Sequence, residues 1–277
     1  MSKLNEIVKQ ALEEDIGKRD ITTELLIPAE SKGRAVIKSK EPGVLAGGEV
    51  AKIVFNTLDN KLKFTQLIKD GEKFAKDVIL FELEGKLAGI LKGERTALNF
   101  LQRLSGIATL TNKFVEKVRG TGVKILDTRK TTPGLREPEK YAVRCGGGEN
   151  HRMGLWDSLV LIKDNHIRAV GGIKNAMEKL KVKSEKLKVE MEVKNLKELD
   201  VVLNYPIDRI MLDNMSIKEI KEAVRKCKMQ NAKCCLEVSG GVNLENVREI
   251  AETGVDYISV GALTHSVHSV DMSLDIL

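Results

Sequence analysis

The sequence predicts an α/β protein whose C-terminal two-thirds form a small or incomplete parallel β/α barrel, preceded by a compact α+β unit. Three observations predict it. Six short, apolar, β-branched runs recur after residue 122, helical patterns separate them, and each run ends in charged or glycine-rich residues. Strands that alternate with helices form a parallel sheet with right-handed crossovers.

The elements follow in order. Leu4, Ile7, Val8, Ala11 and Leu12 keep helical spacing at the start of the chain. Strand-like runs over 34–39, 63–68 and 78–83 come next, with turn signals at Pro42-Gly43, Asp70-Gly71 and Glu84-Gly85 and a helix over 49–58. A long helix is expected over 93–119, where Ala97, Leu101, Leu104, Ala108, Phe114 and Val118 form one apolar stripe. Gly106 interrupts it and suits a kink or a close approach. The six barrel strands are then expected at 123–126, 159–162, 188–193, 209–212, 234–238 and 257–260, with helices over 173–180, 196–203, 217–227 and 244–253. Each unit has about 25 residues, short for an eight-fold barrel of ~250 residues. A doubly wound open sheet is the alternative; so many polar strand ends favour the barrel.

Composition narrows the function classes. Of 277 residues, 42% are hydrophobic and 31% charged, which supports a large core and argues against disorder. A net charge of +6 invites a nucleic-acid reading, but aromatics are only 4% and Lys and Glu are interspersed, as on an ion-paired surface. No apolar run is long enough for a membrane span, and no apolar signal core marks the N-terminus. Cys145, Cys227, Cys234 and Cys235 lack a C-x-x-C spacing and suit a reducing compartment, so a cytoplasmic address is expected.

The strand ends carry the chemistry. They read Asp127-Thr128-Arg129-Lys130, Lys163-Asp164-Asn165-His166, Glu192 to Lys194, Asp213-Asn214, Ser239-Gly240-Gly241 and Gly261-Ala262. In a β/α barrel these open onto one face, where catalytic groups come from several strands. Arg129, Lys130, Arg152 and Lys163 would hold an anion, the guanidinium groups by paired hydrogen bonds and the lysines as point charges. Ser239-Gly240-Gly241, ahead of a helix, together with Gly261-Ala262 suits a phosphate. Glu192 and Asp213 suit ribose hydroxyls or Mg²⁺, although helix capping explains an Asp there nearly as well. Lys163 could instead be a Schiff-base nucleophile of an aldolase. The four histidines lack zinc-site spacing, and Cys145 has no evident partner for a nucleophilic role.

The segments GERTALNFLQRLSGIAT, DTRKTTPGLREPEKYAVRCGGGENHRMGL, LIKDNHI, VEMEV, IMLDNM, EVSGGV and ISVGALTHS, in this order, resemble the quinolinate phosphoribosyltransferase family over nearly the whole chain. The DTRKTTPGLR block joined to GGGENHR is the most specific part; the SGG alone is not specific. The resemblance implies an N-terminal α/β sandwich over residues 1–106 and a TIM-like incomplete β/α barrel over 107–277. It implies phosphoribosyl transfer from PRPP to quinolinate with decarboxylation, giving nicotinate mononucleotide, pyrophosphate and CO₂ with Mg²⁺, in NAD biosynthesis. By the same resemblance Thr128, Arg129, Lys130, His151 and Arg152 line the quinolinate pocket, and Arg95 arrives from the partner of a homodimer or higher homo-oligomer. Lys163 reaches the substrate and pyrophosphate anions. Glu192 and Asp213 serve ribose and metal, and Ser239, Gly240, Gly241, Val260, Gly261 and Ala262 take the 5′-phosphate. Lys130, Lys163, Glu192 and Asp213 are the implied catalytic group.

Overall fold

A computed structural model of the chain describes residues 3–157, 159–181, 187–230 and 232–277. In chain order it first contains α1 (Lys3–Ile16), α2 (Ile21–Leu26), β1 (Lys32–Ser39), β2 (Gly43–Val44), α3 (Gly48–Leu58), β3 (Lys63–Gln66), β4 (Lys73–Phe74), β5 (Ile79–Lys86) and α4 (Leu87–Lys117). Next come β6 (Lys124–Leu126), α5 (Arg136–Cys145), β7 (Leu159–Ile162), α6 (Asp164–Ala169), α7 (Ile173–Lys181), β8 (Lys188–Val193) and α8 (Leu196–Val202). The chain finishes with β9 (Arg209–Asp213), α9 (Ile217–Met229), β10 (Cys235–Ser239), α10 (Val247–Ala251), β11 (Tyr257–Ser259), α11 (Ala262–His265) and β12 (Met272–Ile276).

Two compact units share this chain. One comprises Met1–Asn112, Thr131–Gly147 and Leu263–Leu277; the other comprises Lys113–Lys130 and Gly148–Ala262.

The first unit is built on an antiparallel sheet in the order β12-β1-β5-β3. Its core includes Val36, Ile37, Leu80, Phe81 and Leu83, with Phe64 stacked on Phe55 and tilted against Phe81. The expected turn at Glu84-Gly85 is instead strand. Gly85 pairs with Gly33, and the backbone of Leu62 lies so close that a side chain at Gly85 would crowd it. Helix α4 therefore starts at Leu87, six residues before the predicted start. Gly106 proves to be a close-packing position, since a Cβ there would collide with the His268 carbonyl oxygen. On α5, Glu139 is wholly buried and accepts hydrogen bonds from Arg103 Nε (3.2 Å), Arg103 Nη2 (2.9 Å), Thr132 N (3.0 Å) and Thr132 Oγ1 (2.7 Å).

The second unit is a six-stranded parallel sheet in the order β6-β11-β10-β9-β8-β7. All six predicted strands are in it, with ends shifted by a residue or so. The order never reverses in the middle, as a doubly wound sheet would; each strand simply follows its predecessor, and β6 sits beside β11. That is a β/α barrel open between its first two strands. Glu149 occupies the β6 side of the opening through an isolated parallel bridge to Leu126.

Strand alternation sorts the side chains. Val189, Met191, Val193, Ile210, Leu212, Leu236, Val238 and Ile258 are buried on one face. The opposite face carries Glu190, Glu192, Arg209, Met211, Asp213, Glu237 and Ser259, which meet one another inside the barrel. Helices follow with legible caps. Ser216 and Glu219 form a reciprocal capping box at α9, and Asn195 caps α8. The helix predicted over 244–253 is shorter, Val247–Ala251.

Candidate active site

The strand ends place the predicted residues as follows. Asp127, directly after β6, is fully buried and accepts the His151 backbone N–H at 2.9 Å and Asn150 Nδ2 at 2.6 Å. It ties the segment 149–152 to the end of β6. Thr128 Oγ1 accepts the Lys130 N–H at 3.0 Å and turns the chain at Arg129. Arg152 is buried. Burial first, and the positive charge of Arg129 second, hold its guanidinium below the ordinary arginine value, against the pull of Glu190 and Asp157. The two arginines are therefore close enough to repel, an arrangement that an anion with two carboxylates would relieve.

Across the same face, Lys163 Nζ stands 3.9 Å from Glu192 Oε2. Glu192 is pushed up by burial and next by the charge of Asp213, with Lys163 opposing. Two hard carboxylates that repel each other in a half-buried setting fit a divalent cation. Lys163 is 45% exposed and faces a carboxylate, the opposite of the dry pocket that a Schiff-base lysine needs.

Gly240 and Gly241 follow Ser239 with φ of 89° and 65°, a left-handed pair that glycine adopts freely. At Gly240 a Cβ would also collide with the side chain of Asn214. Because α10 begins only at Val247, the glycine loop stands apart from a helix N-terminus. Val260 is buried, and its N–H donates to the Leu126 carbonyl at 2.9 Å, which brings Gly261 and Ala262 to the end of β6. In the first unit, Arg95 is exposed on α4.

His151 is placed differently from its neighbours. Its side chain is only 5% exposed; Nδ1 accepts the Arg152 N–H at 2.8 Å, and Nε2 faces Glu190 Oε2 at 3.0 Å and Glu237 Oε2 at 3.5 Å. Glu237 also accepts from Arg209 Nη1 at 2.9 Å and Ser259 Oγ at 2.6 Å. Among the described residues this trio is the group of donors that could hold a metal ion. Together with Arg209 it balances its own charge. Burial alone would push His151 down, but Glu190 and Glu237 override it and carry its pKa up to about 9. Burial pushes Glu190 up; His151, Ser259 and Arg209 hold Glu237 down despite its burial.

The sign of the resulting pH dependence is fixed. A proton held more tightly in the folded chain adds stability that is complete below about 6.5, the ordinary histidine value, and lost as pH rises through about 9. The thermal midpoint is expected to fall between these limits, by the equivalent of roughly 3 kcal/mol. His151→Asn should flatten the fall; a variant with the wild-type pH profile would contradict the assignment.

Glu190, Glu237 and Arg209 are absent from the sequence-predicted site. Their signal was available: in VEMEV, Glu190 shares a face with Glu192, and Glu237 shares one with Ser239. A cavity of about 670 Å³ lies at the other end of the barrel, among the strand starts Leu159, Lys188, Arg209, Cys235 and Tyr257, and Arg209 alone of these three groups lines it.

Fold and site together define a class: a β/α enzyme with an open barrel whose strand ends gather cations, carboxylates and a glycine loop. Residues 20–105 match the family model for the quinolinate phosphoribosyl transferase N-terminal domain, and residues 107–275 match that for its C-terminal domain. The chain belongs to the quinolinate phosphoribosyltransferase family. It is 46% identical to a probable nicotinate-nucleotide pyrophosphorylase (carboxylating) of Methanocaldococcus jannaschii, over 98% of this chain and 96% of the relative. It is 42% identical to the corresponding Mycobacterium leprae protein, over 97% and 95%. The crystal structure of the nicotinate-nucleotide pyrophosphorylase from Ehrlichia chaffeensis superimposes with a TM-score of 0.93 at 45% identity, covering 98% of each chain.

Proposed function

We infer that the chain carries out its family's reaction and that its strand ends divide the work between two arcs. The enzyme is a pentosyltransferase, a nicotinate-nucleotide diphosphorylase (carboxylating), which makes nicotinate mononucleotide from quinolinate for NAD biosynthesis. One arc, Thr128, Arg129, Lys130 and Arg152 with His151 behind them, receives the two carboxylates of quinolinate. The repelling pair Arg129 and Arg152 carries this reading. The other arc receives PRPP: Glu192 and Asp213 take the ribose hydroxyls, and Ser239, Gly240, Gly241, Val260, Gly261 and Ala262 take the 5′-phosphate. Lys163, between the arcs, meets pyrophosphate and substrate anions.

The chemistry needs positioning more than a nucleophile. The pyridine nitrogen attacks the anomeric carbon as the bond to pyrophosphate breaks, through an oxocarbenium-like state that nearby carboxylates stabilise. The ring nitrogen is then quaternary. Its positive charge stabilises the electron pair left on the adjacent ring carbon when the carboxylate departs as CO₂, and that carbon takes a proton. Mg²⁺, held by Glu192 and Asp213 directly or through water or pyrophosphate, would neutralise the leaving group.

Arg95, exposed on α4, is assigned to the site of a partner subunit, which makes the active species a homodimer or larger homo-oligomer. A cytoplasmic location is supported by the four free cysteines. Among the described residues no helix is long and apolar enough to cross a membrane.

Incubation with quinolinate, PRPP and Mg²⁺ tests the function. Equimolar pyrophosphate, CO₂ and nicotinate mononucleotide are expected, each dependent on PRPP and suppressed by a chelator. Absence of a PRPP-dependent product would overturn it.

A further inference from the structure

Asn214 holds an unusual conformation at the end of β9. Its φ is 53°, and among the described residues Asp77 is the other non-glycine residue with a positive φ. Asparagine tolerates the left-handed region better than most side chains, yet glycine enters it with no steric penalty. The neighbouring loop uses glycine for such backbone, at Gly240 and Gly241. The turn after β9 therefore calls for a left-handed residue at 214, but gives no reason for that residue to carry a side chain.

Hydrogen bonding within the fold does not supply the reason. The Asn214 backbone N–H donates to the Ser239 carbonyl at 2.9 Å, one step beyond the pairing of Asp213 with Ser239 that ends the β9–β10 ladder. Glycine would make that bond equally well. The residue is exposed on the strand-end face, and its side-chain amide has no hydrogen-bond partner among the described residues.

What the amide does touch is Gly240. A Cβ on Gly240 would collide with Oδ1, Cγ and Nδ2 of Asn214 together, so the amide group lies directly against the Gly240 Cα. At Gly241 nothing stands within 4 Å of the corresponding position. The loop is backed by Asn214 on one side and open beyond. Consecutive glycines have the widest backbone freedom of any residues, and a loop of them that aims N–H groups at an anion must be held from outside.

We propose that Asn214 is a positioning residue for the phosphate loop. Its N–H fixes Ser239 and its side-chain amide fixes Gly240, so the loop N–H groups are set before PRPP arrives. This rests on the assignment of Ser239, Gly240 and Gly241 to the 5′-phosphate. A loop ordered in advance loses less freedom on binding, which is a reason to keep a side chain where glycine would be easier.

Titration calorimetry with ribose 5-phosphate tests the role without turnover. Asn214→Gly keeps the left-handed backbone and the bond to Ser239 and removes only the amide. Its affinity for ribose 5-phosphate should fall roughly tenfold, equivalent to about 1.4 kcal/mol, with a thermal midpoint close to that of the wild type. In turnover its KM for PRPP should rise by a similar factor, while the KM for quinolinate stays within about twofold. Asn214→Ala also lacks the amide and loses the tolerance of asparagine for left-handed backbone. It should lose at least as much affinity and melt at a lower temperature.

Wild-type affinity in Asn214→Gly would overturn the proposal, because a loss confined to Asn214→Ala reports backbone strain alone. An equal rise in both KM values would overturn it too, as a general defect of the site. The glycine variant decides by itself if the alanine variant does not fold. A wild-type protein that does not bind ribose 5-phosphate would remove the phosphate assignment and the proposal with it. One that binds ribose 5-phosphate but forms no PRPP-dependent product would sink the functional reading and leave the role of Asn214 standing.

Discussion

Arg152→Ala is expected to raise the KM for quinolinate roughly a hundredfold to ten-thousandfold while the KM for PRPP stays within about threefold. Hydrogen bonds to charged groups contribute about 1.5–3 kcal/mol each, and a guanidinium can offer a carboxylate two in parallel. Two such bonds lost from a buried position give that range. The opposite effect is expected on stability. Arg152 is buried and repelled by Arg129, so its removal should leave the thermal midpoint unchanged or slightly raised. Steady-state kinetics with each substrate varied in turn, beside a melting curve, checks both halves. Near-wild-type kinetics would remove Arg152 from the clamp, and a collapse in stability would assign it a structural role instead.

Glu139→Ala should be the most damaging single change to the first unit, costing about 3–5 kcal/mol. The carboxylate has no solvent exposure and anchors both Arg103 and Thr132. Truncation strands the Arg103 guanidinium, whose remaining acceptors are Thr132 Oγ1 and the Thr264 carbonyl. It also leaves the Thr132 N–H without its acceptor two residues along the chain from Lys130. Urea unfolding followed in parallel with activity measures the effect. A loss under about 1 kcal/mol, the level of an exposed ion pair, would show that this cluster is not the anchor described.

Much of the barrel was legible because its strands obey local rules. The β-branched runs mark all six parallel strands, and the charged and glycine-rich exits mark one functional face. What escaped was decided by distant partners. Strand β12 has the unremarkable sequence Met-Ser-Leu-Asp-Ile, and only its pairing with β1, more than 230 residues earlier, makes it a strand. Helix α5 has no counterpart among the predicted elements, because Glu139 and Lys140 are both fully buried and break the expected polar face. Gly85 signals a turn by composition, yet continues a strand because a neighbouring backbone passes too close for a side chain. The strand-end cations and carboxylates were predicted by type and spacing, and the resemblance supplied their ligands. No spacing rule reports that His151 turns both nitrogens inward, since that depends on carboxylates from β8 and β10 converging on it.

The pairing of β12 with β1 also has a consequence for synthesis on the ribosome. Strand β1 emerges early, but the neighbour that covers its outer edge is translated some 230 residues later. At roughly 5–20 residues per second, that interval is on the order of ten to fifty seconds. Throughout it the nascent chain carries an unpaired strand edge, the feature that invites pairing with another chain. The first unit to appear is thus among the last to be completed, and its assembly awaits the carboxyl-terminal residues leaving the exit tunnel.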